Sequence, residues 1–184
     1  MAHDSEHEDA VVQQMLDGDE DAFRELYRSV QPGLLRYLSV LVGPGEAEDV
    51  AAETWAQAVR DLSRFRGGLD GFRGWITTIA RHRALDLLRA QGRRPVLDVP
   101  AEDLGEQPVE PSAEAQAVDL VTTGEALRLI ASLPPDQAEA VLLRAVVGLD
   151  ANAAARVLGK RAGAVRTAAY RGLATLRKKL SEDQ

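Results

Sequence analysis

Two cationic stretches hold the chemistry this sequence offers. The first, "RFRGGLDGFRGW", interleaves bases with aromatics: Arg64, Phe65, Arg66, Phe72, Arg73 and Trp75 around flexible glycines. Alternating cations and π faces suit a single nucleic-acid strand, held by neutralised phosphates and stacked bases. The second stretch closes the chain, "GKRAGAVRTAAYRGLATLRKKL", Gly159 to Leu180. On a helical wheel Val165, Ala168, Ala169, Gly172, Leu173, Leu176 and Leu180 form one apolar stripe. Lys160 and Arg161 occupy the preceding turn, and Arg166, Thr167, Tyr170, Arg171, Arg177 and Lys178 lie outside the stripe. A short helix, a turn at Gly159 and a long cationic helix follow the helix-turn-helix plan, whose second helix enters a DNA major groove. The same spacing also permits a plain helical hairpin with a solvated outer face.

Catalytic patterns are not found. The chain shows no glycine-rich phosphate loop, no nucleophile elbow and no convergent pair of acids, so it reads as a non-enzyme without a cofactor. No metal site is expected. His82 has no second ligand at i+3 or i+4, and His3 and His7 fall in an acidic terminus expected to be disordered. There is no cysteine, hence no disulfide framework.

The net charge of −7 over 184 residues conceals an uneven distribution. Arg64 to Arg94 holds eight arginines against Asp70 and Asp86. Pro95 to Leu120 holds seven acids and no base, and Asp150 to Lys179 holds eight bases against one acid. Two basic blocks around an acidic one point to an anionic partner more strongly than the sum does. No apolar run is long enough to span a membrane and no signal core opens the chain, which suggests a cytoplasmic protein.

The elements that must position these residues read as helices throughout. Aromatics are 4% of the chain, so the core rests on Leu, Val and Ala, and no hairpin or βαβ pattern occurs. Phe23, Leu26, Tyr27, Val30, Leu34, Leu35 and Leu38 share one helical face, with a kink or break expected at Pro32–Gly33. Pro44 opens a second helix whose buried stripe is Ala47, Val50, Ala51, Thr54, Ala58 and Leu62. Gly67 to Gly71 reads as a loop. The third helix stops near Gly92 and buries Phe72, Ile76, Ile79, Ala80 and Leu87. Arg81, His82 and Arg89 point outward there, Arg73 less clearly, and Trp75 sits at the edge of the stripe. Arg83 falls on the apolar side, with Asp86 as an i,i+3 partner. Further helices are expected at 120–131, 135–147, 151–158 and 163–179. The proposed organisation is all-α: an acidic tail (1–19), a helical domain (20–94), a flexible acidic proline-rich linker (95–119) and a helix-turn-helix domain (120–180).

The residues "SLPPDQAEAVLLRAVVGLDANAAARVLGKRAGAVRTAAYRGLATLRKKL" resemble region 4 of bacterial RNA polymerase sigma factors. The likeness runs through Leu133-Pro134-Pro135, Leu142-Leu143-Arg144, Gly148-Leu149, Leu158-Gly159, Gly163, Val165-Arg166, Arg171 and Leu176. "GEAEDVAAETWAQAVRDLSRFRG" and "FRGWITTIARHRALDLLRAQGRR" are similar to region 2 of the extracytoplasmic-function (ECF) group. The resemblance implies that core RNA polymerase is a partner, through its β′ clamp helices and β flap. Asp49, Glu53, Trp55 and Gln57 are then the polymerase-binding candidates. It implies promoter DNA as the ligand. Region 2 would recognise and melt the −10 element through Arg64, Phe65, Arg66, Arg73, Trp75, Arg81, His82 and Arg89. Region 4 would read the −35 element through Lys160, Arg161, Arg166, Thr167, Tyr170, Arg171 and Lys178. An anti-sigma factor is implied as a further partner. The rival reading is a helix-turn-helix regulator that never joins polymerase, and a second is a protein whose basic faces bind an acidic partner. Whether the two domains pack together in the free chain stays open.

Overall fold

The structure, a computed structural model, describes residues 2–93 and 124–182; the expected linker, 95–119, lies outside the described residues. Helices α1 (Ala2–Leu16), α2 (Glu20–Val42), α3 (Pro44–Asp61) and α4 (Leu69–Ala90) form the first domain. A helical segment at 124–131, called α5, precedes α6 (Pro135–Val141), which runs into a π-helical turn at Leu142–Val146. Helices α7 (Ala151–Leu158) and α8 (Ala162–Glu182) complete the second domain.

Local chemistry sets most boundaries. The Asp19 carboxylate accepts from the backbone N–H groups of Asp21 (2.8 Å) and Ala22 (3.2 Å), capping α2. Pro44 stands in the first turn of α3, where its missing N–H costs nothing. Gly92, at φ +64°, closes α4, and the Arg93 N–H returns 2.8 Å to the Leu88 carbonyl.

Three expectations are corrected. Helix α2 runs unbroken past Pro32 and Gly33. Pro32 and Arg28, whose carbonyl loses its partner, are both exposed, while Val30, Leu34, Tyr37 and Leu38 are buried on either side. Tertiary packing therefore outweighs the proline's local cost. The acidic terminus is not a disordered tail: it contains α1, with Val11, Val12 and Met15 buried against the domain. Asp9 on α1 accepts from the Leu69 N–H at 2.8 Å, supplying the cap that Gly68 has no side chain to provide. Consequently α4 begins at Leu69, inside the stretch read as a loop.

The two domains pack against each other. Helix α4 lies along α7, and α2 lies along the π-helical turn. A Cβ placed on Gly74 would stand 3.7 Å from the Ala153 Cβ, and one on Gly33 would stand 3.0 Å from the Val146 carbonyl oxygen. Gly33 is thus a site of close approach rather than a helix breaker. Within the second domain, α8 lies against α6 at Gly172, where a Cβ would meet Val141 Cγ2 at 2.7 Å and the Gln137 carbonyl oxygen at 3.3 Å. Gly172→Leu forces that contact open. Overpacking should lower the unfolding free energy by about 1–3 kcal/mol, measured by urea denaturation.

Candidate nucleic-acid and polymerase interface

The helix-turn-helix is built by caps at both ends of α7. The Asp150 carboxylate accepts from the Ala153 N–H at 2.7 Å. At the other end Gly159 takes the left-handed conformation (φ 63°, ψ 32°), and the Lys160 N–H reaches the Ala155 carbonyl at 3.0 Å. That turn aims α8. Val165, Ala169 and Gly172 bury its inner side, with Ala168 and Leu176 half-buried.

The opposite side is open. Arg161, Arg166, Thr167, Arg171 and Lys178 are exposed, and Tyr170 retains 76% of its surface. Lys160 Nζ donates to Asp136 Oδ1 at 2.5 Å, and the Thr167 hydroxyl donates back to the Gly163 carbonyl at 3.0 Å. Leu173 and Leu180, expected to face inward, are exposed. Leu173 lies one residue round from the contact line through Val165, Ala169 and Gly172, and Leu180 stands in the last turns of the helix.

Around the first cationic stretch the structure separates rim from core. Arg64 and Arg66 are exposed; Arg66 Nη1 donates to the carbonyls of Ser63 (2.7 Å) and Phe65 (2.6 Å). Phe65, expected to meet a nucleic-acid strand, is buried instead. It packs edge-on to Phe72 at 5.5 Å and beside Trp75 at 5.1 Å. Trp75 is half-buried on the same rings. Trp55, expected on the polymerase face, also belongs to the core. It touches Phe23, Tyr27 and Phe72, and its Nε1 donates to Gln31 Oε1 at 2.7 Å. Burying a ring of this size contributes about 1.5–3 kcal/mol, and the chain has few rings to spend.

Along α4, His82 is exposed and Arg89 pairs with Asp86 at 2.8 Å, both side chains 71% accessible. Arg73 is half-buried, with Ser29 Oγ at 3.4 Å. Arg81 does not point into solvent. Its Nε donates to Glu139 Oε1 on α6 at 2.7 Å, and the Tyr37 hydroxyl donates to the same oxygen at 2.9 Å. Burial, with Glu139 beside it, holds the Tyr37 hydroxyl well above its ordinary value, so it remains a donor.

On α3, Asp49 and Glu53 are exposed and Gln57 is half-buried. Arg83 reaches across from α4, its Nε 2.9 Å from Gln57 Oε1 and its Nη1 3.2 Å from Glu53 Oε2. The expected Arg83–Asp86 pair is replaced by this bridge, because Asp86 is taken by Arg89. Sequence reading missed Arg83 as the group that orients Glu53 and Gln57, and it missed Tyr37 and Glu139 altogether.

Residues 26–94 match Sigma-70 region 2, and residues 123–176 match Sigma-70, region 4. Over 183 residues the chain is 34% identical to the ECF RNA polymerase sigma factor SigD of Mycobacterium tuberculosis, spanning 96% of this chain and 85% of that protein. The chain belongs to the ECF sigma factors. Members of this family are non-enzymatic initiation factors that bind core RNA polymerase and direct it to promoters. The ECF factor ShbA of Streptomyces griseus is also 34% identical, over 91% of this chain and 92% of its own. The fold is that of the sigma factor RpoE in complex with the anti-sigma factor NepR from Bartonella quintana (TM-score 0.65, 22% identity, 90% of this chain and 100% of that one). It is equally that of CnrH in complex with the cytosolic domain of CnrY (TM-score 0.62, 24% identity, 96% and 99%). Among the described residues of this sigma factor no helix is long and apolar enough to cross a membrane.

The Asp150 cap makes a prediction with a sign. The Ala153 N–H bond lowers the Asp150 carboxyl below its ordinary value. The depressed value means that its stabilisation is complete above the unfolded-state value and fades as pH falls through the lowered one. Asp150→Ala should cost about 1 kcal/mol at neutral pH by loss of the cap. Asp150→Asn should keep most of it and remove that acid dependence, as read by thermal melts across pH.

Proposed function

We propose that α8 reads the −35 element while α4 and the adjoining basic loop engage the −10 element. The observation that carries this is the outer face of α8: Arg166, Thr167, Tyr170 and Arg171 stand exposed on a helix seated by Gly172. Guanidinium groups there suit phosphates and the acceptor edge of guanine, and Tyr170 offers a flat apolar surface. Lys160, Arg161 and Lys178 extend the cationic rim. On region 2, Arg64, Arg66, His82 and Arg89 supply accessible cationic or polar groups, with Arg73 and Trp75 at the margin. Phe65 would join them only by leaving the aromatic cluster.

The face of Asp49, Glu53 and Gln57, the last two oriented by Arg83, is the surface for the β′ clamp helices, and region 4 meets the β flap. The place of action is that of RNA polymerase, the cytoplasm. The structural relative RpoE of Bartonella quintana is in complex with an anti-sigma factor, NepR, and a protein of that kind is the expected partner of this chain. A stand-alone helix-turn-helix regulator would leave the Asp49–Glu53–Gln57 face without a use.

Stoichiometric capture of core polymerase followed by run-off transcription tests this reading. Arg166→Ala and Arg171→Ala should weaken promoter binding by the holoenzyme. A residue that reads a base should cost about 1–3 kcal/mol at one position. One that only holds phosphate should flatten the log–log salt slope by roughly 0.9. Glu53→Lys should lower capture of the polymerase without altering the chain's helicity. A chain that never co-purifies with core polymerase would overturn the proposal.

A further inference from the structure

The contact between the two domains combines a largely buried ion pair with close approaches at two glycines. Glu139 on α6 is 15% accessible, and Arg81 on α4 is 22% accessible. Both oxygens of the carboxylate face the guanidinium, at 2.7 and 3.4 Å. The wholly buried Tyr37 adds its hydroxyl to one of them. All three groups come from different helices, and the carboxylate alone belongs to region 4. An oxyanion gripped by a guanidinium fork and a phenol is the arrangement a DNA phosphate would adopt. Beside it, α7 carries Ala153, Ala154 and Ala155, all buried, and lies over α4 at Gly74. The π-helical turn completes the contact at Gly33.

We propose that region 4 is an intramolecular cover on the nucleic-acid face of region 2, latched by Glu139, which stands in for a phosphate at Arg81 and Tyr37. In the closed chain α6 and α7 occupy the stretch of α4 from Gly74 to Arg81, so a promoter strand has no access to it. Opening frees Arg81 for DNA and hydrates the Glu139 carboxylate, so neither charge is stranded. The latch makes the free factor weak on DNA and couples region 4 release to exposure of the −10 surface. This rests on the reading of α4 as a −10 surface.

The chain has no cysteine of its own, which allows a clean lock. A Cβ at Gly74 would lie 3.7 Å from that of Ala153, within the ~3.5–4.5 Å that a disulfide requires. Oxidised Gly74→Cys/Ala153→Cys should lose at least about tenfold of its promoter-directed run-off transcription with core polymerase, the scale of one held ion pair. Reduction should restore it, and neither single-cysteine variant should respond to oxidant. Transcription by the reduced form reports on the sigma activity itself; the ratio of oxidised to reduced reports on the cover. In a Glu139→Gln background, the disulfide should form more slowly, and the free chain should bind a labelled single-stranded −10 oligonucleotide more tightly. Equal transcription from oxidised and reduced protein overturns the proposal. So does failure of the pair to cross-link, or unchanged cross-linking and oligonucleotide binding in Glu139→Gln.

Discussion

A buried carboxylate must find cations and donors, and Glu139 finds them on the other domain. Leaving such a charge unpaired costs several kcal/mol, on the order of 3–5, so the position of α6 is tied to Arg81 and Tyr37. That tie sets how α7 lies on α4 and how the π-helical turn lies on α2. A buried ion pair adds little net stability compared with apolar packing, because both charges regain water when it opens. It specifies an arrangement without making it permanent. For a protein whose two halves must reach two separated DNA elements, a contact that includes such a pair is better suited than apolar packing alone. Close approach at the contact is permitted by small residues, Gly74 against Ala153 and Gly33 against the Val146–Val147 backbone.

The aromatic residues show the same economy. The chain has three Phe, three Tyr and two Trp. Six of them, all except Tyr37 and Tyr170, join one cluster beneath the basic loop. With so few rings, most are used for packing, and Phe65 and Trp55 accordingly face inward. The loop is anchored by its aromatics and presents its arginines. Asp9 adds a second anchor from α1, since a side chain at Gly68 would overlap its carboxylate. The two remaining aromatics sit where a polar tip is useful: Tyr37 at the domain contact and Tyr170 on the open face of α8.

Periodicity and punctuation in the sequence were enough to locate most helices, the cap at Pro44, the stop at Gly92 and the turn at Gly159. These depend on neighbours within a few residues, which a single sequence displays directly. The small-residue line through Ala169 and Gly172 was legible for the same reason. What escaped depends on distant partners. A wheel says that Arg81 leaves the apolar stripe, but not that Glu139, fifty-eight positions on, awaits it. It puts Arg83 near Asp86, whereas the fold offers Glu53 and Gln57. It reads Pro32 as a kink or break because the packing that keeps α2 continuous comes from elsewhere. The burial of Trp55 and Phe65 escaped because family roles and basic flanks say nothing about how scarce rings are used.

The cations of this acidic protein are held with graded firmness. Arg89–Asp86 and Arg64–Asp61 are i,i+3 pairs on open surface, and Lys160–Asp136 bridges two exposed side chains. Pairs of this kind contribute roughly 0–1 kcal/mol and weaken with salt, so a phosphate can replace the carboxylate at little cost. Arg83 is half-sheltered and held by two groups, which suits a residue that orients others. Arg81 is the most enclosed of these and yields its carboxylate only when α6 moves away. If these cations meet DNA as proposed, electrostatic encounter begins at the rim, where exchange is easy. On the proposed reading, the cation nearest the centre of α4 enters last, after the domains part, and the contacts are ordered in time without any moving part beyond the domains themselves.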